Sequence, residues 1–268
     1  AKLKKLRIQF KYTIMSSHAM AIFCGTTLLQ QYYIWCVKRK EKPGKGKLTG
    51  SSPNVERHII LCGLPSDWPA KLEGEEGSIA SILLNNIKKN GVEGIKLTAC
   101  DLPPIVHGTV DAIVFPEGKR FTIDPSNEML RHYSNIFCQR GPIDLPKNSE
   151  DLPWDHLVLV CTHTSRDKRC GRAGPIILAE LKSEVEKSNL ITPKIQVCGS
   201  SHIGGHKYAA TLIVYPRGLW YGMVTKKLVP SLLQDILEND DSSRCVEKVD
   251  LESCNDVCTQ EFREKCFR

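Results

Sequence analysis

The sequence contains no Cys-x-x-Cys pair, so it lacks the usual motif of dithiol oxidoreductases. Its twelve cysteines are sparser than those of small secreted scaffolds held together by disulfides. A hydrolase is not indicated either, because no nucleophile motif or pair of catalytic carboxylates is recognisable. The low density of cysteines favours an intracellular, reducing compartment, where Cys and His at defined spacings indicate metal or redox chemistry.

The N-terminal segment lacks acidic residues before Glu41, whereas residues 1–48 carry eleven Lys and Arg. This charge exceeds the formal +7 of the whole chain, so the remainder is net negative. Basic charge held in a leader argues against a nucleic-acid-binding protein. The leader resembles an organelle transit peptide, and its apolar residues 19–37 are about long enough to span a thin bilayer. Targeting, membrane contact and a disordered extension all stay open for it.

The rest of the chain reads as two passes through one order of elements, β-α-β-β-β-α. The first pass predicts strands at 58–63, 95–101, 111–115 and 120–124, with helices at 77–89 and from 125 to about 137. The second predicts strands at 156–161, 194–198, 210–215 and 219–224, with helices at 175–187 and 229–237. We therefore predict an α/β protein of two thioredoxin-like units, each a mixed sheet flanked by helices, with metal bound by the C-terminal unit.

Four segments follow from this pattern and from the Pro, Gly and Lys residues that precede the first strand. They are a basic leader and linker over residues 1–54, a metal-free unit over 55–150, a metal-binding unit over 151–240 and a charged tail over 241–268. The tail contains Cys254, Cys258 and Cys266, for which surface thiols without a role are the favoured interpretation.

Two segments of the second unit bring together the side chains that bind metals. Cys161 and Cys170 enclose one segment, and His202 and His206 lie in the other. Each segment follows a predicted strand, where a loop can direct several side chains to one point. Gly204 and Gly205 separate the two histidines and oppose a stable helix there, because each Gly costs about 1 kcal/mol relative to Ala. A turn that wraps a ligand is the expected structure.

Two thiolates and two imidazoles form a four-ligand set that suits zinc or a 2Fe-2S cluster. Zinc fingers commonly take their cysteines from a tight Cys-x2-4-Cys knuckle, whereas Cys161 and Cys170 are separated by a wider segment. The spacing favours a cluster but leaves zinc open.

A rival set consists of Cys161, His163, Cys198 and His202, which imitates the paired ligands of a Rieske centre. Its second pair is spaced one residue too widely. We expect His163 to orient a ligand and Cys198 to be a buried strand thiol. In the first unit, Cys62 and Cys100 take the corresponding strand ends without the other ligands, which indicates a degenerate copy without metal.

Longer motifs resemble the sucrase/ferredoxin-like family. They are Cys-Thr-His-x3-Asp-x2-Arg-Cys-Gly from Cys161, Gly-Ser-Ser-His-Ile-Gly-Gly-His-Lys-Tyr-Ala-Ala from Gly199 and Val-Tyr-Pro-x3-Trp-Tyr-Gly from Val214. The opening segment His58-Ile-Ile-Leu-Cys-Gly and Asp67-Trp68-Pro69 are also similar, so the resemblance spans roughly residues 58–237. The leader and the Cys-containing tail have no clear counterpart in the family.

The resemblance implies a thioredoxin-like 2Fe-2S ferredoxin, with the cluster held by Cys161, Cys170, His202 and His206. It implies a non-enzymatic electron carrier or redox sensor, located in mitochondria or cytoplasm, whose partner is an unidentified redox protein acting as donor or acceptor. Two alternatives remain: a thiol-disulfide redox enzyme on the same scaffold, and an interaction module stabilised by zinc.

Overall fold

The structure is a computed structural model that describes residues 53–191 and 193–238. The predicted leader and tail lie outside the described residues. All the described residues belong to one compact body, which contains both of the predicted thioredoxin-like units. Among them, no helix has the length and apolar character needed to cross a membrane.

The first sheet has five strands: Arg57–Cys62 (β1), Ile95–Ala99 (β2), Asp111–Phe115 (β3), Lys119–Thr122 (β4) and Glu150–Asp151 (β5). Their order in the sheet is β2-β1-β3-β4-β5. Strand β1 is buried along its whole length and pairs in parallel with β2 and antiparallel with β3.

Two helices, α1 (Ile79–Asn90) and α2 (Asn127–Phe137), accompany this sheet. Each begins after a serine whose hydroxyl accepts a hydrogen bond from the first turn, Ser78 from the N–H of Ser81 and Ser126 from the N–H of Met129. Their apolar faces pack on one side of the sheet in a core that includes Leu83, Leu130 and Phe121.

The second sheet repeats the arrangement with four strands: His156–Cys161 (β6), Ile195–Ser200 (β7), Leu212–Tyr215 (β8) and Leu219–Tyr221 (β9). Their order in the sheet is β7-β6-β8-β9. The buried β6 pairs in parallel with β7 and antiparallel with β8, as β1 does with its two neighbours. Helices α3 (Lys168–Lys187) and α4 (Val229–Glu238) cover one face, in a core that includes Leu181 and Leu232.

The remaining faces of the two sheets share a third core, which contains Ile60 and Ile113 from the first sheet and Leu159 and Ile213 from the second. The strand ends also meet, because the N–H of Asp101 donates to the carbonyl of Gly199 at 3.0 Å and the N–H of Ser201 donates to that of Ala99 at 2.8 Å. An antiparallel bridge joins Cys100 and Ser200 between these bonds.

The predicted fold class, an α/β protein with two mixed sheets flanked by helices, is confirmed. The expected helix at 175–187 differs most from the structure, since α3 begins at Lys168 and Cys170 lies in its first turn. Strand β5 was not predicted. The segment boundaries at residues 54, 150 and 240 remain predictions.

Candidate metal centre

Three of the four predicted ligands converge at the end of the second sheet. The ligand atoms of Cys161, Cys170 and His202 all lie within 4.8 Å of one another, and both thiols are buried. It is the one such group of at least three Cys, His, Asp or Glu side chains found among the described residues. Two sulfur donors and one nitrogen donor in this space are a candidate for part of a metal site.

The two thiols meet because α3 packs unusually closely on the loop that follows β6. A Cβ atom at Gly174 would lie 2.0 Å from the carbonyl oxygen of Cys161, and one at Gly171 would lie 2.2 Å from the hydroxyl of Thr164. Only glycine fits at either position. The close approach sets the first turn of α3, and therefore Cys170, against Cys161.

The pKa values of the two thiols are shifted in opposite directions. Cys161 is held as a thiolate, mainly by the S–H of Cys170 and then by His202 and backbone hydrogen bonds, which lower its pKa to about 4 despite burial. The pKa of Cys170 is raised in turn, because its proton is held by Cys161 and its site is desolvated. Metal binding would displace this shared proton, since the ligand form of cysteine is the thiolate.

The two histidines lie in the turn after β7, next to each other. Nδ1 of His202 lies 3.9 Å from Sγ of Cys161, and Nε2 of His202 lies 3.4 Å from Nδ1 of His206. His206 contacts His202 rather than the thiols, so it is not in the group of three. Gly204 and Gly205 have φ of +115° and +64°, and these left-handed angles give the turn its shape.

His163 does not point its ring nitrogens at the thiols. Its Nδ1 accepts a 3.0 Å hydrogen bond from the N–H of His202, and its Nε2 donates at 3.1 Å to the carbonyl of Trp68 in the first unit. This buried imidazole therefore fixes the backbone of a candidate ligand. Cys198 is fully buried and interacts with Cys100 instead, whose pKa it lowers. The Rieske-like set is thus not assembled.

The first unit also contributes a positive charge, which the sequence analysis missed. Nζ of Lys96 lies 5.3 Å from the centroid of the Trp220 ring, and the charge on Cys161 acts on it. Burial lowers the pKa of Lys96 to about 8, so it is largely protonated at neutral pH. Nothing in a single sequence connects Lys96 or the Trp68 carbonyl with residues so distant along the chain.

The basic residues between the two thiols are mostly engaged locally. Arg169 forms a two-pronged ion pair with Asp167, through Nε at 3.0 Å and Nη2 at 2.9 Å. Arg166 donates from Nη1 to the carbonyl of Ala70 at 3.4 Å. Asp167 also caps α3 by accepting from the N–H of Arg169. These contacts order the loop rather than present free cations to the thiols.

A sequence model of the family described as sucrase/ferredoxin-like matches residues 48–249. Two relatives are named "Altered inheritance of mitochondria protein 32". The one from Debaryomyces hansenii is 27% identical in an alignment 220 residues long, which covers 70% of this chain and 80% of the relative. The one from Clavispora lusitaniae is 37% identical in an alignment 218 residues long, which covers 71% of this chain and 79% of the relative.

Among solved structures, a thioredoxin-like [2Fe-2S] ferredoxin from Aquifex aeolicus is similar at 16% identity, over 31% of this chain and 80% of that chain. Its TM-score of 0.29 is too low to support a conclusion about this chain.

Proposed function

This chain belongs to the sucrase/ferredoxin-like family, and from that premise we propose that it binds one 2Fe-2S cluster and serves in electron transfer or redox sensing. The proposed ligands are Cys161, Cys170, His202 and His206. The observation that carries the proposal is the group of two thiols and one imidazole within 4.8 Å. His206, beside His202, is the proposed fourth ligand.

The donor set fits such a cluster chemically. Cys161 is already held as a thiolate, and Cys170 lies in the first turn of α3, where the helix dipole favours negative charge. When bound, the cluster would supply one-electron chemistry at a potential raised by imidazole in place of thiolate ligands. The surrounding residues hold the site in place. His163 fixes the backbone of His202, and Gly171 and Gly174 allow α3 to pack closely on the loop after β6. Lys96 adds a positive charge nearby.

Zinc is a second candidate because the three ligand atoms are so compactly placed. An Nδ1 to Sγ distance of 3.9 Å, between His202 and Cys161, is close to the spacing of two ligands on one tetrahedral ion. The chain would then be a module stabilised by zinc. The thiol-disulfide enzyme is less well supported, because Cys161 and Cys170 are fully buried and a nucleophilic thiol needs access to its substrate.

Anaerobic purification with iron, sulfide and zinc analysis decides between these functions. We expect about two irons and two sulfides per chain, visible absorption that bleaches with dithionite, and a paramagnetic signal in the reduced state. One zinc ion per colourless chain would refute the cluster and support the module. Protein that contains no zinc as purified, and no iron after anaerobic reconstitution with iron and sulfide, would refute both functions.

Single substitutions test the ligands. We expect Cys161→Ser, Cys170→Ser and His202→Ala each to remove most of the bound iron, because each loses one donor. His206→Ala tests the position that the structure leaves outside the group of three. The matched controls are Cys138→Ser and His107→Ala, which lie elsewhere in the fold and should retain the full metal content. Unchanged iron in any ligand variant would remove that residue from the set.

For location and partner, we propose mitochondria and a redox protein that exchanges electrons with the cluster. The names of the two relatives refer to mitochondria, which supports the location.

A further inference from the structure

Three cysteines outside the candidate metal centre lie together in the core that both sheets share. Cys62 ends β1, Cys100 follows β2, and Cys198 lies on β7, and all three side chains are fully buried. Sγ of Cys62 lies 3.3 Å from Sγ of Cys100, and the thiol of Cys198 is near enough to lower the pKa of Cys100. We refer to these three residues as the thiol trio.

The backbone places Cys62 and Cys100 correctly for a disulfide. The parallel register pairs Leu61 with Ala99, and the N–H of Cys100 donates to the carbonyl of Leu61 at 2.8 Å, so the next residues of the two strands are neighbours. Paired strands lie about 4.8 Å apart, which is within the usual Cα separation of about 4.4–6.8 Å across a disulfide. The two sulfurs, now 3.3 Å apart, have to approach to about 2.05 Å to form the bond.

Cys100 interacts with both other members of the trio, so we expect it to react first. The thiols of Cys198 and Cys62 both stabilise its anionic form, and together they lower the pKa of Cys100 well below its ordinary value. The thiolate is the form of cysteine that reacts with oxidants. Full burial excludes bulky oxidants, so a molecule close to water in size is the reagent that fits.

We propose that the thiol trio is a second redox site, at which hydrogen peroxide converts Cys62 and Cys100 into a disulfide. The Cys100 thiolate attacks one peroxide oxygen and breaks the O–O bond, which gives a sulfenic acid and one water after protonation. The Cys62 thiol then forms the S–S bond and loses its proton, and the sulfenic oxygen leaves as a second water. Two thiols lose two electrons in total, and one peroxide becomes two waters.

Cys198 gives the site an alternative partner. It lies near Cys100 in the shared core and belongs to the second unit. A Cys100–Cys198 disulfide would therefore join the two units covalently, whereas a Cys62–Cys100 disulfide would join two strands of one sheet. We expect the Cys62–Cys100 disulfide to form before the Cys100–Cys198 disulfide, because the sulfurs of Cys62 and Cys100 are already 3.3 Å apart.

Peptide mapping of the full chain tests this proposal directly. The purified folded protein is treated with hydrogen peroxide, quenched with catalase, unfolded in excess alkylating reagent and digested without reductant. We expect a Cys62–Cys100 linked peptide, two hydrogen masses lighter than the two separate peptides, to form at least about tenfold faster than oxidation of the partly exposed Cys138. Recovery of Cys62 and Cys100 as separately alkylated peptides, or a linked peptide only after unfolding in urea, would overturn the proposal.

Variants separate the roles within the trio. Cys62→Ser should leave Cys100 to form the Cys100–Cys198 disulfide or a sulfenic acid trapped by dimedone, whereas Cys100→Ala should abolish both disulfides. Cys138→Ser is the matched control and should behave as wild type. A Cys100→Ala chain that still forms a Cys62–Cys198 disulfide at the wild-type rate would refute the central role of Cys100. The mapping is independent of the metal centre, because it is read at Cys62 and Cys100 whether or not iron is bound.

Discussion

At the scale of single residues, His58 shows how a buried titratable group ties the two units together. Its Nδ1 lies 2.5 Å from the hydroxyl of Tyr215 in the second unit, and its Nε2 lies 2.8 Å from the hydroxyl of Thr98. The pKa of His58 is held well below its ordinary value, first by burial and then by the nearby charge of Lys96. The folded protein therefore keeps this imidazole neutral.

This depressed pKa predicts a loss of stability in mild acid. Below about pH 6.5 the unfolded chain protonates His58 while the folded chain does not, so the free energy of unfolding falls by up to about 1.4 kcal/mol per pH unit from this residue. The fall continues as the pH drops toward the folded-state pKa. We expect His58→Gln, which does not titrate, to reduce the slope by up to this amount in urea unfolding between about pH 6.5 and 5.

The control for this experiment is His107→Gln, because His107 is exposed. The pH dependence of its unfolding free energy should equal that of wild type. The histidines that all three proteins keep contribute equally to this slope in each of them. Lys96 stays charged through this range, since its pKa is about 8. Parallel slopes for wild type and His58→Gln would contradict the prediction.

Residue chemistry also explains how far the candidate site could be predicted. Cys161, Cys170 and His202 were identified from donor types and from their position after strands, and the structure brings these three together. The assignment of all four ligands remains a prediction. The contacts of His163 and Lys96 with the other unit could not be predicted, because they depend on which faces of two distant segments meet.

At the scale of elements, the approach of α3 to the Cys161 loop determines whether the thiols can meet. We expect Gly174→Ala to destabilise the fold by several kcal/mol, because the new Cβ would lie 2.0 Å from a backbone oxygen and only movement of α3 relieves the clash. That movement separates Cys170 from Cys161, so bound metal should fall together with the unfolding midpoint. Thermal unfolding and metal analysis measure the two effects.

The matched control is Gly74→Ala, where the nearest atom to a new Cβ is Cβ of Lys71 at 3.9 Å, an ordinary contact. This variant should retain the wild-type midpoint and metal content. If Gly174→Ala also retained both, the close approach would not be needed for the site.

The same helix shows why element boundaries were harder to predict than element types. Gly171, Gly174 and Pro175 are poor helix formers, so the sequence placed the helix start at Pro175. In the structure these residues lie inside α3, because the close packing against the loop requires glycine. Asp167, which caps the helix, was the local signal for the true start. Tertiary contact outweighed intrinsic preference here.

At the scale of the whole molecule, the shared core makes the two units depend on each other. The face of the second sheet that contacts the first sheet buries five large apolar or aromatic side chains: Leu157, Leu159, Ile213, Tyr215 and Trp220. Full burial of such a side chain contributes about 1.5–3 kcal/mol, so exposing half of this face costs about 4–7 kcal/mol. This loss is comparable with the roughly 5–15 kcal/mol that stabilises a typical domain. The repeated topology therefore does not imply two units that fold alone.

A fragment of residues 152–240 tests this dependence, since the cut leaves β5 with the first sheet. We expect the fragment alone to lack a cooperative unfolding transition and to bind little metal, because its shared face is exposed and His163 has lost the Trp68 carbonyl. Mixing it with a fragment of residues 53–151 should restore both properties. An intact chain cleaved between residues 151 and 152 controls for the break itself. If fragment 152–240 unfolded cooperatively at the midpoint of the whole protein and bound as much metal, the first unit would be dispensable for the site, and the contacts of His163 and Lys96 would have no role in holding it.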